Sequence, residues 1–234
     1  MAAPDRMDER LRTLRLVEGQ RMGQAVLAAA VRGRLIVPGR TECEVDDRLR
    51  DLAREVLGTT AGRPGRLVRS GPHTVLPYGQ TPPDRVIRGD DVVVVDLGPL
   101  LAGHETDFAR TVVLGDDPDR RRIVEDLAKV GAAAGELFRS EERITGRQLH
   151  GEIRAWAAKG GWSLGSWQAG RLCGQPPAAG GSDPRPDSFI GPDNDRPLRR
   201  TTDGGWRARW ILEIRLVDDY GGFGGVFKQL LDPT

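Results

Sequence analysis

Four consecutive valines, Val92 to Val95, run directly into Asp96. A β-branched run with no polar alternation reads as a strand buried on both faces. A carboxylate closing such a run needs a partner, because desolvating an unpaired charge costs several kcal/mol. Asp107 lies across a turn, where a hairpin brings it alongside Asp96, and two carboxylates converging in an apolar setting repel unless a cation separates them. Glu213 poses the same problem inside Trp210–Val217. Either a metal with oxygen ligands or nearby arginines can supply the charge, and residue types alone leave both open.

The surrounding pattern places these strands in a mixed fold. Apolar residues at Leu11, Leu14, Val17, Met22, Ala25, Val26 and Ala29 approximate one face of a helix over Arg10–Arg32. Thr41 with Glu44 three residues on forms a capping box for a second helix that ends at Gly58. Arg66–Arg69 reads as a short strand, and Thr106–Leu114 returns as the partner of Val92–Gly98. Helices follow over Arg120–Phe138 and, with Thr145 as N-cap, Ile144–Ala158. After a segment rich in Gly, Pro and Asp from Gly174 to Gly205, Trp210–Val217 and Val226–Leu231 close the chain, joined by a Gly-rich turn. The order predicts an α+β fold in one domain over residues 1–234.

Composition narrows the function classes. Basic and acidic residues nearly cancel, 35 against 34, which disfavours a nucleic-acid binder dependent on counterion release. No apolar run approaches the roughly 18 residues of a membrane span, and the first residues lack the layout of a secretory signal. Two cysteines far apart, Cys43 and Cys173, suit a reducing compartment, so a cytoplasmic protein is expected.

Val94-Val95-Asp96-Leu97-Gly98 followed by Glu105-Thr106-Asp107-Phe108-Ala109-Arg110-Thr111 resembles the first metal-binding hairpin of the methionine aminopeptidase, prolidase and creatinase superfamily. Gly19–Gly23, Val37–Glu42, Arg69–Pro72, Ala169–Gly174 and Trp210–Glu213 resemble it in the same order. The resemblance implies the pita-bread fold, two pseudo-symmetric halves around a central cleft, without the N-terminal domain of prolidases. Family peptidases hold two divalent metals with two Asp, one His and two Glu. Asp96, Asp107 and Glu213 match three of these. The remaining two depart: Arg171 stands at the His position and Lys228 near the last Glu, while Pro177-Ala178 replaces a catalytic Pro-His.

Arginine does not ligate metal at ordinary pH, and lysine does so only with a strongly depressed pKa. Three carboxylates against two cations leave a formal charge of about −1. No metal and no cofactor is therefore expected, with Asp96, Asp107 and Glu213 as vestigial ligand positions. Asp96, Asp107 and Glu213 become candidate acid/base groups, together with His73 and with Tyr78, which falls where many relatives carry a cleft histidine. Arg171 and Lys228 become candidate substrate-binding groups, and Cys173, two residues from Arg171 and so on the same strand face, joins them. A solvated loop role for His73 and a small core thiol at Cys173 are the plainer readings. Gly221–Gly225 reads as a flexible turn, since no helix N-terminus follows to make it a phosphate loop.

Three functions follow in order. The first is a metal-independent enzyme acting on a small amino-acid-like or amide-containing metabolite, in specialised metabolism. The second is a non-catalytic relative that binds a peptide or protein in the cleft, and the third a metallo-aminopeptidase with an atypical site. The expected partner is a small molecule or short peptide in the cleft, not nucleic acid or membrane, with homodimerisation left open.

Overall fold

A computed structural model describes residues 5–58, 65–77, 79–104, 106–174, 185–218, 220 and 222–232. Tyr78 and Ala178 lie outside them.

Two helices come first, α1 (Arg6–Arg32) and α2 (Glu42–Leu57), then the strands β1 (Val68–Ser70), β2 (Val92–Asp96) and β3 (Ala109–Val113). Two further helices, α3 (Pro118–Ser140) and α4 (Gly146–Lys159), precede β4 (Ser163–Leu164), β5 (Gly170–Leu172), β6 (Trp210–Asp218) and β7 (Phe223–Leu230). The strands form one sheet in the order β1-β2-β3-β7-β6-β4, with β5 also paired to β6, every pairing antiparallel. The α+β expectation holds. So does the buried character of the valine strand, all five residues of which are buried.

Each half has its own core. Val26, Val45, Leu49, Val68, Val93, Val95 and Phe108 pack α1 and α2 against the first three strands. Ile123, Leu127, Leu149, Ile153, Trp162, Trp210 and Leu212 pack α3 and α4 against the others. Helix α2 starts as its sequence dictates: Thr41 accepts from Glu44 N at 3.2 Å while Glu44 Oε2 accepts from Thr41 N at 2.8 Å.

Two expectations need correction. The buried face of α1 is Leu16, Gly19, Gln20, Gly23, Val26 and Ala30, whereas Leu11 and Leu14 are 47% and 57% exposed. The reason is close approach rather than apolar area. A methyl group on Gly23 would sit 2.9 Å from Phe108 Cβ, and one on Gly19 would overlap His104 and Thr106. Gln20 is buried because its Oε1 accepts from Leu230 N at 2.7 Å, tying α1 to β7. The second correction concerns the glycine-rich turn. Phe223, Gly224 and Gly225 belong to β7 itself. A methyl on Gly224 would meet Leu216 O at 2.9 Å and one on Gly225 would meet Leu127 at 2.7 Å, so these glycines let β7 lie close to its neighbours.

Candidate active site

The sheet register assembles the acids. Asp96 on β2 pairs with Ala109 on β3, Ala109 with Lys228 on β7, and Lys228 with Glu213 on β6. Directly paired residues share a sheet face, so the four form one row across four strands. Asp107, two residues before Ala109, falls on that face. Arg171 pairs with Ile211, which places it beside Glu213 on the same face.

The row closes as an ion cluster. Lys228 Nζ donates to Asp96 Oδ2 at 2.8 Å and lies 3.5 Å from Asp107 Oδ2 and 3.8 Å from Glu213 Oε2. Arg171 Nη2 donates to the same Asp107 Oδ2 at 2.7 Å. The Lys228 side chain is 2% exposed and those of Arg171 and Asp107 are 7% and 5%. Burial works against the charge on Arg171, but Asp107 beside it, aided by Glu213, outweighs this and raises its pKa above the usual arginine value. Asp107 Oδ1 is buried and accepts no hydrogen bond. It lies against Gly98, where any Cβ would overlap it.

A cavity of about 230 Å³ opens on this cluster. Asp96, Asp107 and Glu213 line it, with Val94 and Val226 as an apolar strip and Arg66, Arg69 and Arg215 among the remaining walls. Arg171 and Lys228 are not among the residues that line it. Arg69 and Arg215 both donate to Leu76 O, at 2.9 and 2.7 Å, and so draw the segment after β1 across the cleft.

The other candidates sit elsewhere. His73 Nδ1 is 2.9 Å from Glu42 Oε2, and neither residue lines the cavity. Glu42 is fully buried and also accepts from Ser70 N, Ser70 Oγ and Arg66 Nη1. Cys173 packs with Leu16, Ile211 and Leu230, as a core thiol would. None of the described residues between Gly174 and Gly205 lines the cavity; Phe189, Ile190 and Leu198 are buried in the second half. Sequence reasoning missed Arg215, although its place two residues after Glu213 in a strand already put it on the same face.

The residues present do not fit a two-metal centre. A guanidinium does not ligate, and the ammonium contacts the very oxygens that a metal would need. Among the described residues no group of three or more His, Cys, Asp and Glu is arranged to hold a metal ion.

Two packed halves on one antiparallel sheet, with an acidic row at their junction, define a pita-bread protein. The chain belongs to metallopeptidase family M24, which residues 15–190 match. It is 25% identical over 169 residues to the Xaa-Pro dipeptidase of Pyrococcus horikoshii, covering 63% of this chain and 47% of that one. It is 32% identical over 130 residues to the probable dipeptidase PepE of Mycobacterium tuberculosis, covering 54% and 33%. The chain thus spans about a third to a half of the length of these curated relatives. The prolidase of P. horikoshii superposes with a TM-score of 0.67 at 19% identity, over 92% of this chain and 57% of that one. The methionine aminopeptidase of Rickettsia prowazekii gives 0.65 at 13%, over 98% and 93%. These likenesses establish the fold.

Proposed function

We propose that this chain is a metal-independent enzyme on a metallopeptidase fold, acting on a small amino-acid-like or amide-containing metabolite. The observation that carries the proposal is the position of Lys228, whose ammonium meets all three carboxylates beside an open cavity. Lys228 and Arg171 supply fixed positive charge behind the acids. Asp96, Asp107 and Glu213 face the ligand and accept or return its proton; Glu213, at 14% side-chain exposure, is the most accessible. Lys228 and Arg171 therefore act through the carboxylates rather than on the ligand directly.

The test is a thermal-shift screen of amino acids, keto acids and short amides, followed by a turnover assay of any stabilising compound with and without EDTA. Turnover that survives chelation, from protein carrying well under one metal per chain, is the expected result. Turnover abolished by EDTA and restored by Mn²⁺ or Co²⁺ sinks the proposal in favour of a metallo-aminopeptidase. A second reading, a non-catalytic peptide- or protein-binding relative, draws on the exposed apolar stripe of Met7, Leu11 and Leu14 on α1. It gains if no compound stabilises the protein.

A further inference from the structure

We propose that the cavity is a site for a linear ω-amino acid, a zwitterion whose ammonium and carboxylate are separated by a short saturated stem. The inference rests on the reading of this cavity as a ligand site given above, and narrows the amino-acid-like class to one shape.

The strand register carries it. Beside the acidic row lies a second row, two residues along each strand. Arg69 on β1 pairs with Val94 on β2, Val94 with Thr111 on β3, and Val226 on β7 with Arg215 on β6. Thr111 closes the row between β3 and β7, its Oγ1 donating to Val226 O at 3.0 Å and accepting from Val226 N at 2.7 Å. Residues two apart on a strand share a face, and two steps advance about 7 Å. The cavity floor is thus acidic along one line and, about 7 Å away, apolar at Val94 and Val226 with an arginine at each end.

Each part selects one feature of a ligand. In the acidic row three carboxylates face two cations, Lys228 and Arg171, so acid is in excess. Asp107 lines the cavity, and its buried Oδ1 accepts no hydrogen bond, which leaves an acceptor suited to an ammonium. Arg69 donates to the carbonyls of Leu76, Pro77 and Gln80, and Arg215 to those of Thr74 and Leu76. These carbonyls orient the guanidiniums and leave their charge in place for a carboxylate. Arg66, also in the lining, is paired with Glu42 at 3.0 Å. Between the two charged lines the valine side chains offer neither donor nor acceptor. A methylene stem packs there, whereas an amide would be buried without a partner. The polar lining residues Gln80 and Thr81 are exposed and do not supply one in the floor.

The experiment is titration calorimetry of the unsubstituted protein with glycine, 5-aminovalerate, 7-aminoheptanoate, pentylamine, pentanoate and glycylglycine. Affinity should peak at 5-aminovalerate, at least ~10-fold above glycine and above the two ligands that carry a single charge. Glycylglycine has a similar span but a polar middle, and should bind ~10-fold more weakly than 5-aminovalerate. Arg215→Gln should erase the advantage of 5-aminovalerate over pentylamine, and Glu213→Gln its advantage over pentanoate. A merely structural role for either residue would weaken all ligands alike, and that result overturns the proposal. So does a flat length profile, tighter binding of glycylglycine, or no binding by any of the six compounds. Where Arg215→Gln fails to fold, the length profile of the unsubstituted protein decides. Binding of 5-aminovalerate without turnover supports the site and removes only the enzyme reading. Metal-independent turnover of a metabolite that lacks either charge overturns this inference and leaves the enzyme reading standing.

Discussion

Asp107 gathers the most contacts of this site in one side chain. Its Oδ2 takes both cations, its Oδ1 lies against Gly98, and its side chain is 5% exposed. Arg171 is the partner whose loss has the plainest consequence. Arg171→Ala leaves Asp107 with Lys228 alone in a desolvated setting, and truncating one member of a buried pair costs about 3–5 kcal/mol. Urea unfolding of the two proteins measures the difference; a loss below about 1 kcal/mol would show that the cluster is held mainly by Lys228. These residues were legible in the sequence for a physical reason. An acid inside a β-branched run carries a desolvation cost that any fold must answer, and Asp96 and Glu213 both announce it. Glu42 does not. It sits in the first turn of an amphipathic helix, where an acid is ordinary, and only the structure shows it fully buried beneath His73, Ser70 and Arg66.

At the scale of elements, boundaries followed local chemistry closely where caps and β-branched runs exist. The Thr41–Glu44 box starts α2, and Gly58, with φ +63°, ends it. Because that box satisfies two backbone donors at an exposed helix end, Thr41→Ala should cost about 1 kcal/mol in urea unfolding and leave the cavity untouched. A loss of binding in that variant would mean the α2 start also positions Glu42 and, through Arg66, the cavity wall. Where packing is set by absence of a side chain, the sequence misled. The period of Leu11, Leu14 and Val17 suggested the inward face of α1, but Gly19 and Gly23 allow contact with His104, Thr106 and Phe108 that larger residues cannot make. Glycine carries no hydropathy signal, so a face built on it is invisible to periodicity. The same holds for Gly224 and Gly225, read as a turn and found in the strand. The short strands β4 and β5 exist through pairing with β6, and no local periodicity marks them.

Across the whole molecule, the ion cluster is one of several links between the two halves, beside the packing of Leu16 with Ile211 and Leu230 and of Val94 and Ala109 with Val226. Asp96 and Asp107 belong to the half built on α1 and α2, whereas Lys228, Glu213 and Arg171 belong to the half built on α3 and α4. The halves also meet where β3 pairs with β7, with Arg110 on β3 donating to Lys228 O at 2.9 Å and stacking on Phe227. Within the ion cluster, Lys228 is the side chain that reaches acids of both halves. The tryptophans make this measurable, because all five (Trp156, Trp162, Trp167, Trp206 and Trp210) lie in the second half, while far-ultraviolet circular dichroism reports α1 and α2 as well. In the unsubstituted protein the fluorescence and dichroism transitions should coincide on heating, and EDTA should leave the midpoint unchanged, since lysine and arginine supply the charge that holds the acids together. Lys228→Met keeps the length of the stem and removes the charge. Stranding buried carboxylates at about 3–5 kcal/mol, with about 2–4 °C per kcal/mol for a chain of this size, predicts a midpoint lower by about 10 °C. The first half, which loses its ammonium to Asp96 and Asp107, should melt ahead of the second, so the dichroism transition begins before the fluorescence transition. If both probes still coincide in Lys228→Met, the β3–β7 ladder and the apolar contacts between the halves suffice to couple them, and the cluster serves only the cavity it borders.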